Sequence, residues 1–191
     1  SRKIKVSTSA ISKALCVHGY TSLDEEWLTL VPREGTPISS RHSAFQANIV
    51  KMISICGPLP VDEIRHGLQS HVSSFDFAIP PTRVLRKLLP MYGFTVDDDD
   101  RVTITKGKRV KVILSSGEKT TLGLIQKQRP VATFQELSEE FSEKGLSQPL
   151  LSMTLRYSAL FYHVDTGLYA LRGSRITREE IESALARRPA I

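Results

Sequence analysis

A few residues in this chain of 191 have the type and spacing that catalysis or metal binding requires. Cys16 and His18 could act as a nucleophile with its base, or as two metal ligands. His66 and His71 stand five positions apart, without carboxylates at the spacing that a shared metal site would need. We interpret Cys16 as a core residue beside a helix-end histidine, and the other two histidines as residues of a helix surface.

An acidic run, Asp97 to Asp100, is the next candidate. A calcium loop has ligands at alternating positions and a glycine turn, and the run lacks that pattern. We expect a solvated turn whose carboxylates repel phosphate groups. The sequence also has no glycine-rich phosphate loop and no Cys-x-x-Cys pair. We therefore expect no metal, no cofactor and no enzyme, although a catalytic domain attached to these residues would lie outside the chain.

Composition is typical of a folded protein, with 40% hydrophobic and 24% charged residues. A net charge of +6 and a pI of about 9.4 permit a polyanionic partner, but a surface that is basic by chance is the alternative. Residues 107–191 contribute +4 of this charge. Two cysteines, no signal peptide and no apolar run of about 20 residues predict a protein that is neither secreted nor membrane-bound. We expect it in the cytoplasm, associated with the nucleoid, or in the nucleus.

Basic residues carry the stronger functional signal. In the helix predicted over 81–89, apolar residues face one way, while Arg83, Arg86 and Lys87 face the other. Arginine can read guanine through two hydrogen bonds, and lysine can hold phosphate. The alternative is a merely solvated polar face, since every exposed helix carries charges.

A second set of candidates comes from the C-terminal half. The outward residues of a helix that follows Ser147 are predicted to be Gln148, Ser152 and Arg156. Arg172 and Arg175 come after a predicted hairpin and could grip flanking phosphates. Additional basic candidates are Lys13, Lys108, Arg109 and Lys111.

The elements that position these residues are clearest over 133–173. Thr133 and Glu136 predict a capping box at a helix start, and Gly145 predicts its left-handed end. Ser147 begins a second helix, with Pro149 in its first turn. Two apolar strands then flank the turn at 165–167. The predicted order is therefore helix, short turn, helix, hairpin.

The same plan recurs along the chain. Residues 15–20 (LCVHGY) are mirrored by residues 89–94 (LPMYGF), and each is followed by an acidic turn and an apolar strand. Residues 161–162 end a looser third copy. We predict four parts: a partial module and linker over 1–40, modules over 41–106 and 107–175, and a C-terminal helix over 176–191. Thr177 and Glu180 predict a capping box at the start of that last helix. The expected fold class is mainly α with small β-hairpins, or α+β.

This order, and the ending VDTGLYALRG over 164–173, resembles the winged helix-turn-helix superfamily. The resemblance is strongest to bacterial winged-helix modules attached to restriction and regulatory proteins. It implies tandem winged helix-turn-helix modules in which the helix over 81–89 enters the major groove. The implied function is non-catalytic binding of double-stranded DNA, in a transcription regulator or in the target-recognition part of a defence or DNA-processing protein.

A second hypothesis is a protein-interaction scaffold. Tandem winged helices also serve as dimerisation modules in chromosome-organising and transcription complexes. The acidic turn and the moderate charge fit this hypothesis better than DNA binding. It predicts a homodimer or a complex with another protein that does not change when DNA is added.

Overall fold

The structure, a computed structural model, describes residues 20–23, 27–30, 40–70, 79–105, 112–128 and 130–188. Within these ranges the fold is mixed α+β, with seven α-helices, two three-stranded antiparallel sheets and a two-stranded hairpin. This agrees with the predicted α+β class.

The N-terminal hairpin pairs β1 (Tyr20–Ser22) with β2 (Leu28–Leu30) in antiparallel register. The amide of Leu23 donates a hydrogen bond to the carbonyl of Trp27 and closes the loop side of the pair. Leu23 is buried and Trp27 is half-buried against the main core. The rest of the predicted partial module and linker, residues 1–19, 24–26 and 31–39, lies outside the described residues.

A first unit of four helical and three strand segments follows. It comprises α1 (Ser40–Cys56), β3 (Leu59–Pro60), α2 (Val61–Gln69) and α3 (Thr82–Leu88), then a 3-10 turn over Leu89–Tyr92, β4 (Phe94–Val96) and β5 (Arg101–Ile104). We call it the middle unit. Gly57 and Gly93 have positive φ angles of 79° and 84°, so left-handed glycines end α1 and the 3-10 turn. Its sheet has the order β3-β5-β4.

A second unit repeats this order. It comprises α4 (Ser116–Gln128), β6 (Val131–Thr133), α5 (Phe134–Glu143), α6 (Gln148–Tyr157), β7 (Phe161–Asp165) and β8 (Leu168–Leu171). We call it the third unit, because along the chain it follows the N-terminal hairpin and the middle unit. Its sheet order, β6-β8-β7, is the same as in the middle unit. In both, the strand before the second helix pairs with the last strand of the hairpin.

Local signals position the helices of the third unit. The Thr133 hydroxyl accepts from the amide of Glu136 and the Glu136 carboxylate accepts from the amide of Thr133, so the predicted capping box is confirmed. Gly145, with φ of 67°, follows the end of α5 as predicted. The final helix, α7 (Arg178–Ala186), has the capping box predicted from Thr177 and Glu180.

Three features differ from the sequence interpretation. Strands β3 and β6 were not predicted, although they complete each sheet. The sequence KRVKVIL over 108–114 predicts a connecting strand, but the described residues of that segment, 112–114, form none. Ser116 is a candidate helix cap in the sequence, but α4 is capped one residue earlier, by Ser115 with Glu118.

The two units share one hydrophobic core. Between them, the Lys51 ammonium of α1 lies 2.9 Å from Oε1 of Glu118 at the start of α4, and the Ser158 hydroxyl donates to the same oxygen at 2.8 Å. Burial alone would raise the pKa of Glu118, but hydrogen bonds from Ser115, Lys51 and Ser158 outweigh it and hold the pKa below its ordinary value. A buried, charged contact therefore joins the units.

Candidate nucleic-acid interface

Helix α3 of the middle unit presents the basic face that the sequence predicted. Val84, Leu85 and Leu88 are buried, while the three candidates Arg83, Arg86 and Lys87 are exposed. Arg86 and Lys87 have partners within the chain. Nε of Arg86 lies 3.1 Å from Oδ1 of Asp100, and Nζ of Lys87 donates a 2.8 Å hydrogen bond to the carbonyl of Leu23. The charge on this face is therefore partly offset by its own hairpin turn, and the N-terminal hairpin approaches it.

The acidic turn of the middle unit lies beside that helix. Asp97, Asp98 and Asp99 are exposed, and Oδ1 of Asp97 accepts a 2.7 Å hydrogen bond from the amide of Arg101. Asp100 has a positive φ of 62°, which asparagine and aspartate tolerate better than most residues. The turn is closed by backbone and carboxylate hydrogen bonds, and its exposed carboxylates oppose an approaching phosphate.

Helix α6 holds the equivalent position in the third unit. Leu151 and Thr154 point into the core, and the candidates Gln148, Ser152 and Arg156 are exposed along the opposite face. The Gln148 amide donates a 3.0 Å hydrogen bond to the hydroxyl of Ser138 on α5.

The guanidinium of Arg156 lies 5.4 Å from the centroid of the Tyr157 ring. That stacking leaves the edge of the guanidinium, with its N–H groups, available for anionic or carbonyl acceptors.

A groove of about 320 Å³ separates α6 from the hairpin β7–β8. Its lining residues are Phe134, Ser152, Leu155, Arg156, His163 and Tyr169. The rings of His163 and Tyr169 pack edge to face, with centroids 5.3 Å apart, and Nε2 of His163 accepts a hydrogen bond from the amide of Gly167. The wall formed by α6 thus carries the Ser152 hydroxyl and the Arg156 guanidinium. The wall formed by the hairpin carries the rings of His163 and Tyr169.

Arg172 does not occupy the position that the sequence suggested. It is only 6% exposed, and its guanidinium donates to the carbonyls of Ala159 and Phe161. Nη1 lies 3.0 Å from Oε2 of Glu63 on α2 of the middle unit. Because these partners enclose the guanidinium, Arg172 cannot hold a phosphate in this conformation and does not belong to the candidate interface. Its role is to join the two units.

The remaining candidates divide into two groups. Arg175 is exposed just beyond β8, where a flanking phosphate could reach it. Lys13, Lys108, Arg109 and Lys111 lie outside the described residues.

Sequence reasoning missed two exposed apolar residues on α6. Met153 is 59% exposed and Tyr157 is 38% exposed, although both types are usually covered. The signal was present in the sequence: both follow Pro149 at intervals of four, which places all three on one helical stripe. As an aromatic residue, Tyr157 is expected from the sequence to belong to the core, and its exposure differs from that expectation.

Acidic residues are distributed unequally over the helices of each unit. Helix α2 carries Asp62 and Glu63, and α5 carries four glutamates. The helix that follows each of them, α3 or α6, contains no carboxylate. In both units a polyanion therefore meets less repulsion from the side chains of the third helix than from those of the second.

In the described part of the chain, no group of three or more His, Cys, Asp or Glu residues is arranged to hold a metal ion. None of the described helices is long and apolar enough to cross a membrane. No protein-family model, curated protein or solved structure matches this chain.

Proposed function

We propose that the middle and third units are winged helix-turn-helix modules and that the chain binds double-stranded DNA without catalysing a reaction. The order helix, strand, helix, helix, hairpin, with the first strand paired to the last, supports this class. In such modules the third helix enters the major groove, and the hairpin contacts the flanking backbone.

The observation that carries the proposal is the exposed face of α6, which has no carboxylate. Gln148 and Ser152 can bind base edges or phosphate, and Arg156 can pair with guanine or phosphate. The adjacent groove of about 320 Å³ gives a sugar-phosphate backbone a place beside the helix, between Arg156 and His163. The distribution of charge along the chain also favours DNA binding by the third unit, since residues 107–191 carry +4 of the total +6.

The third unit is the primary binding unit in this proposal. In the middle unit Arg86 is paired with Asp100, Lys87 is bonded to the N-terminal hairpin, and the turn exposes three aspartates. In the third unit the hairpin turn at 165–167 carries one carboxylate, Asp165, at the end of β7. Phosphate therefore meets less repulsion at the third helix and hairpin turn of the third unit than at those of the middle unit.

The test is fluorescence anisotropy of a labelled mixed-sequence duplex with the full chain over a series of salt concentrations. Phosphate contacts release counterions, so affinity should fall linearly on a log–log plot as salt rises. Absence of binding at the lowest salt concentration would contradict the proposal.

Two matched variants place the contact on α6. Arg156→Ala should weaken binding and reduce the salt slope by roughly 1, as expected for one lost phosphate contact. Arg178→Ala removes the same charge from α7, where the side chain is 90% exposed, and should leave the slope unchanged. Equal effects of the two variants would indicate only a response to net charge.

One double variant tests the middle unit. Arg83→Ala combined with Arg86→Ala should weaken binding less than Arg156→Ala, because Arg86 already has Asp100 as its partner. A larger effect of the double variant would make the middle unit the primary binding unit instead.

A protein-interaction scaffold is the second candidate. The exposed stripe of Pro149, Met153 and Tyr157 favours it, because exposed apolar patches commonly mark protein contacts. It predicts a dimer or a protein complex whose mass in light scattering does not respond to duplex DNA.

A further inference from the structure

Two large apolar side chains of α6 lie on the side of the helix that faces away from the core. Among the residues whose burial the structure describes, four large hydrophobic side chains are exposed, namely Met91, Ile113, Met153 and Tyr157. Two of the four stand on this one short helix, on the face that the proposed function turns toward DNA. The core takes the opposite face, where Leu151 is fully buried, so packing does not require an apolar residue at 153.

An α-helix in the major groove meets base edges that are almost entirely polar. The exception is the C5-methyl group of thymine, which is the apolar group that a base pair presents there. Methionine is unbranched, flexible and polarisable, so its thioether can adapt to a methyl group at several approach angles. A side chain that is 59% exposed in the free protein has the reach to make that contact.

The neighbours of Met153 on α6 also favour contact with thymine. Arginine supplies the commonest guanine-specific contact, but the face of α6 has one arginine, Arg156, which stacks on Tyr157 at its C-terminal end. Gln148, at the other end, belongs to the residue type that pairs with adenine. No cation stands between them on this face, and Ser152 and Met153 occupy its centre.

We propose that Met153 selects thymine-containing sites by packing against the thymine methyl group, which makes α6 a reader of A·T pairs. This inference rests on the proposed function. Burial of one methyl group against an apolar side chain corresponds to about fourfold in affinity, so the preference is expected to be modest for each thymine and larger when two are in reach.

The experiment compares two short duplexes of alternating A·T and T·A pairs that differ only in the pyrimidine. One contains thymine, and the other contains deoxyuridine, which pairs identically but lacks the methyl group. Alternation presents a thymine to Met153 in any binding register. The native chain should bind the thymine duplex at least about threefold more tightly.

Variants attribute the difference to one side chain. Met153→Ala should reduce the thymine-to-uracil affinity ratio to about one. Met91→Ala, which changes the same residue type at a 41% exposed position in the middle unit, should keep the native ratio. Met153→Gln, of similar length, is the second variant, and its ratio should also approach one. Thermal unfolding of each variant verifies that it is folded.

Three results would overturn the inference. Salt-dependent DNA binding with equal affinity for both duplexes would remove Met153 from thymine recognition and leave the proposed function intact. A preference for thymine that persists in Met153→Ala would place the methyl contact elsewhere. A dimer that Met153→Asp converts to a monomer in light scattering, with no DNA binding by the native chain, would assign the stripe to a second copy and overturn both proposals.

Discussion

Arg172 and Glu63 form an ion pair across the boundary between the two units, with Nη1 and Oε2 separated by 3.0 Å. The arginine is buried and the glutamate is half-buried, and the same guanidinium also binds the carbonyls of Ala159 and Phe161. It lies 5.9 Å from the centroid of the Tyr162 ring. One side chain therefore connects α2 of the middle unit with the strand that starts the hairpin of the third.

Removal of the Arg172 side chain should destabilise the folded protein. Arg172→Ala leaves two carbonyls and a carboxylate without their donor, and we expect a loss of about 3 kcal/mol in the free energy of unfolding. Urea denaturation followed by circular dichroism measures that loss.

Nearby variants separate this role from a general effect of charge. Glu63→Gln should cost at most about 1 kcal/mol, since its side chain is 40% exposed and the amide can still accept from Arg172. Arg175→Ala, at an exposed position, should be close to neutral. If Arg172→Ala and Arg175→Ala lowered the free energy of unfolding equally little, the contact between the two units would not depend on Arg172.

Some features of the fold were predictable because they depend on adjacent residues. The capping boxes of Thr133 with Glu136 and of Thr177 with Glu180 follow from a spacing of three and were predicted correctly. The positive φ of Gly145 followed from its place after an amphipathic helix. Local propensity and backbone sterics suffice for such elements.

Other features depend on residues that are far apart in the sequence. Strand β3 has two residues, and it is recognisable only through its pairing of Leu59 with Val102 on β5. The burial of Arg172 similarly depends on Glu63, which belongs to the other unit. A basic residue after a hairpin has the same local sequence whether it faces solvent or a neighbouring unit, so composition alone could not separate the two cases.

The buried carboxylate of Glu118 should make stability depend on pH. Its pKa is held below the ordinary value by Ser115, Lys51 and Ser158, despite the opposing effect of burial. A lowered native pKa stabilises the fold above the unfolded pKa of about 4.5, and that contribution is lost as pH falls through the native pKa. Glu118→Gln should therefore destabilise the protein by about 2 kcal/mol near pH 7, and by progressively less as the pH falls below 4.5.

The measurement for Glu118 is the difference in unfolding free energy between the native chain and Glu118→Gln, near neutral pH and over this acidic range. Glu136 also has a lowered pKa, but it is present in both proteins and its effect cancels in the difference. A difference that does not shrink in acid would show that packing, and not ionisation, gives Glu118 its importance.

Two glycines in helices should respond in opposite directions to alanine. A Cβ at Gly67 would lie 2.3 Å from Sδ of Met52 and 3.1 Å from the carbonyl oxygen of Ala159, so α2 has no room for it. Gly67→Ala should lower the free energy of unfolding by about 2 kcal/mol, even though alanine is the better helix former. A Cβ at Gly123, in α4, would meet no atom of another element within 4 Å, and Gly123→Ala should stabilise by up to about 1 kcal/mol.

Thermal unfolding of both glycine variants tests the close approach of the units at Gly67. Because the two substitutions are chemically identical, helix propensity contributes about equally to both. A stabilised Gly67→Ala would mean that Met52 moves aside and that the contact with Ala159 is looser than the distances indicate.

The thiol of Cys56 should react slowly in the native protein. Burial raises its pKa to about 12, an effect that Arg172 partly opposes and Glu63 reinforces. Since the thiolate is the reactive form, a pKa of about 12 in place of 9.0 lowers its population near pH 8 by roughly a thousandfold.

The reaction of Cys56 with a thiol reagent is best followed in a Cys16→Ser background, so that one thiol is observed. Modification should be at least about a hundredfold faster in denaturant than in buffer, because unfolding restores both access and an ordinary pKa. Adding Arg172→Ala should speed the reaction in the native protein. The substitution loosens the contact between the two units beside Cys56, so the reagent reaches the thiol more often. Rapid modification of Cys56 in the folded Cys16→Ser protein would contradict the burial of this thiol. It would also contradict the close packing of the two units around Arg172.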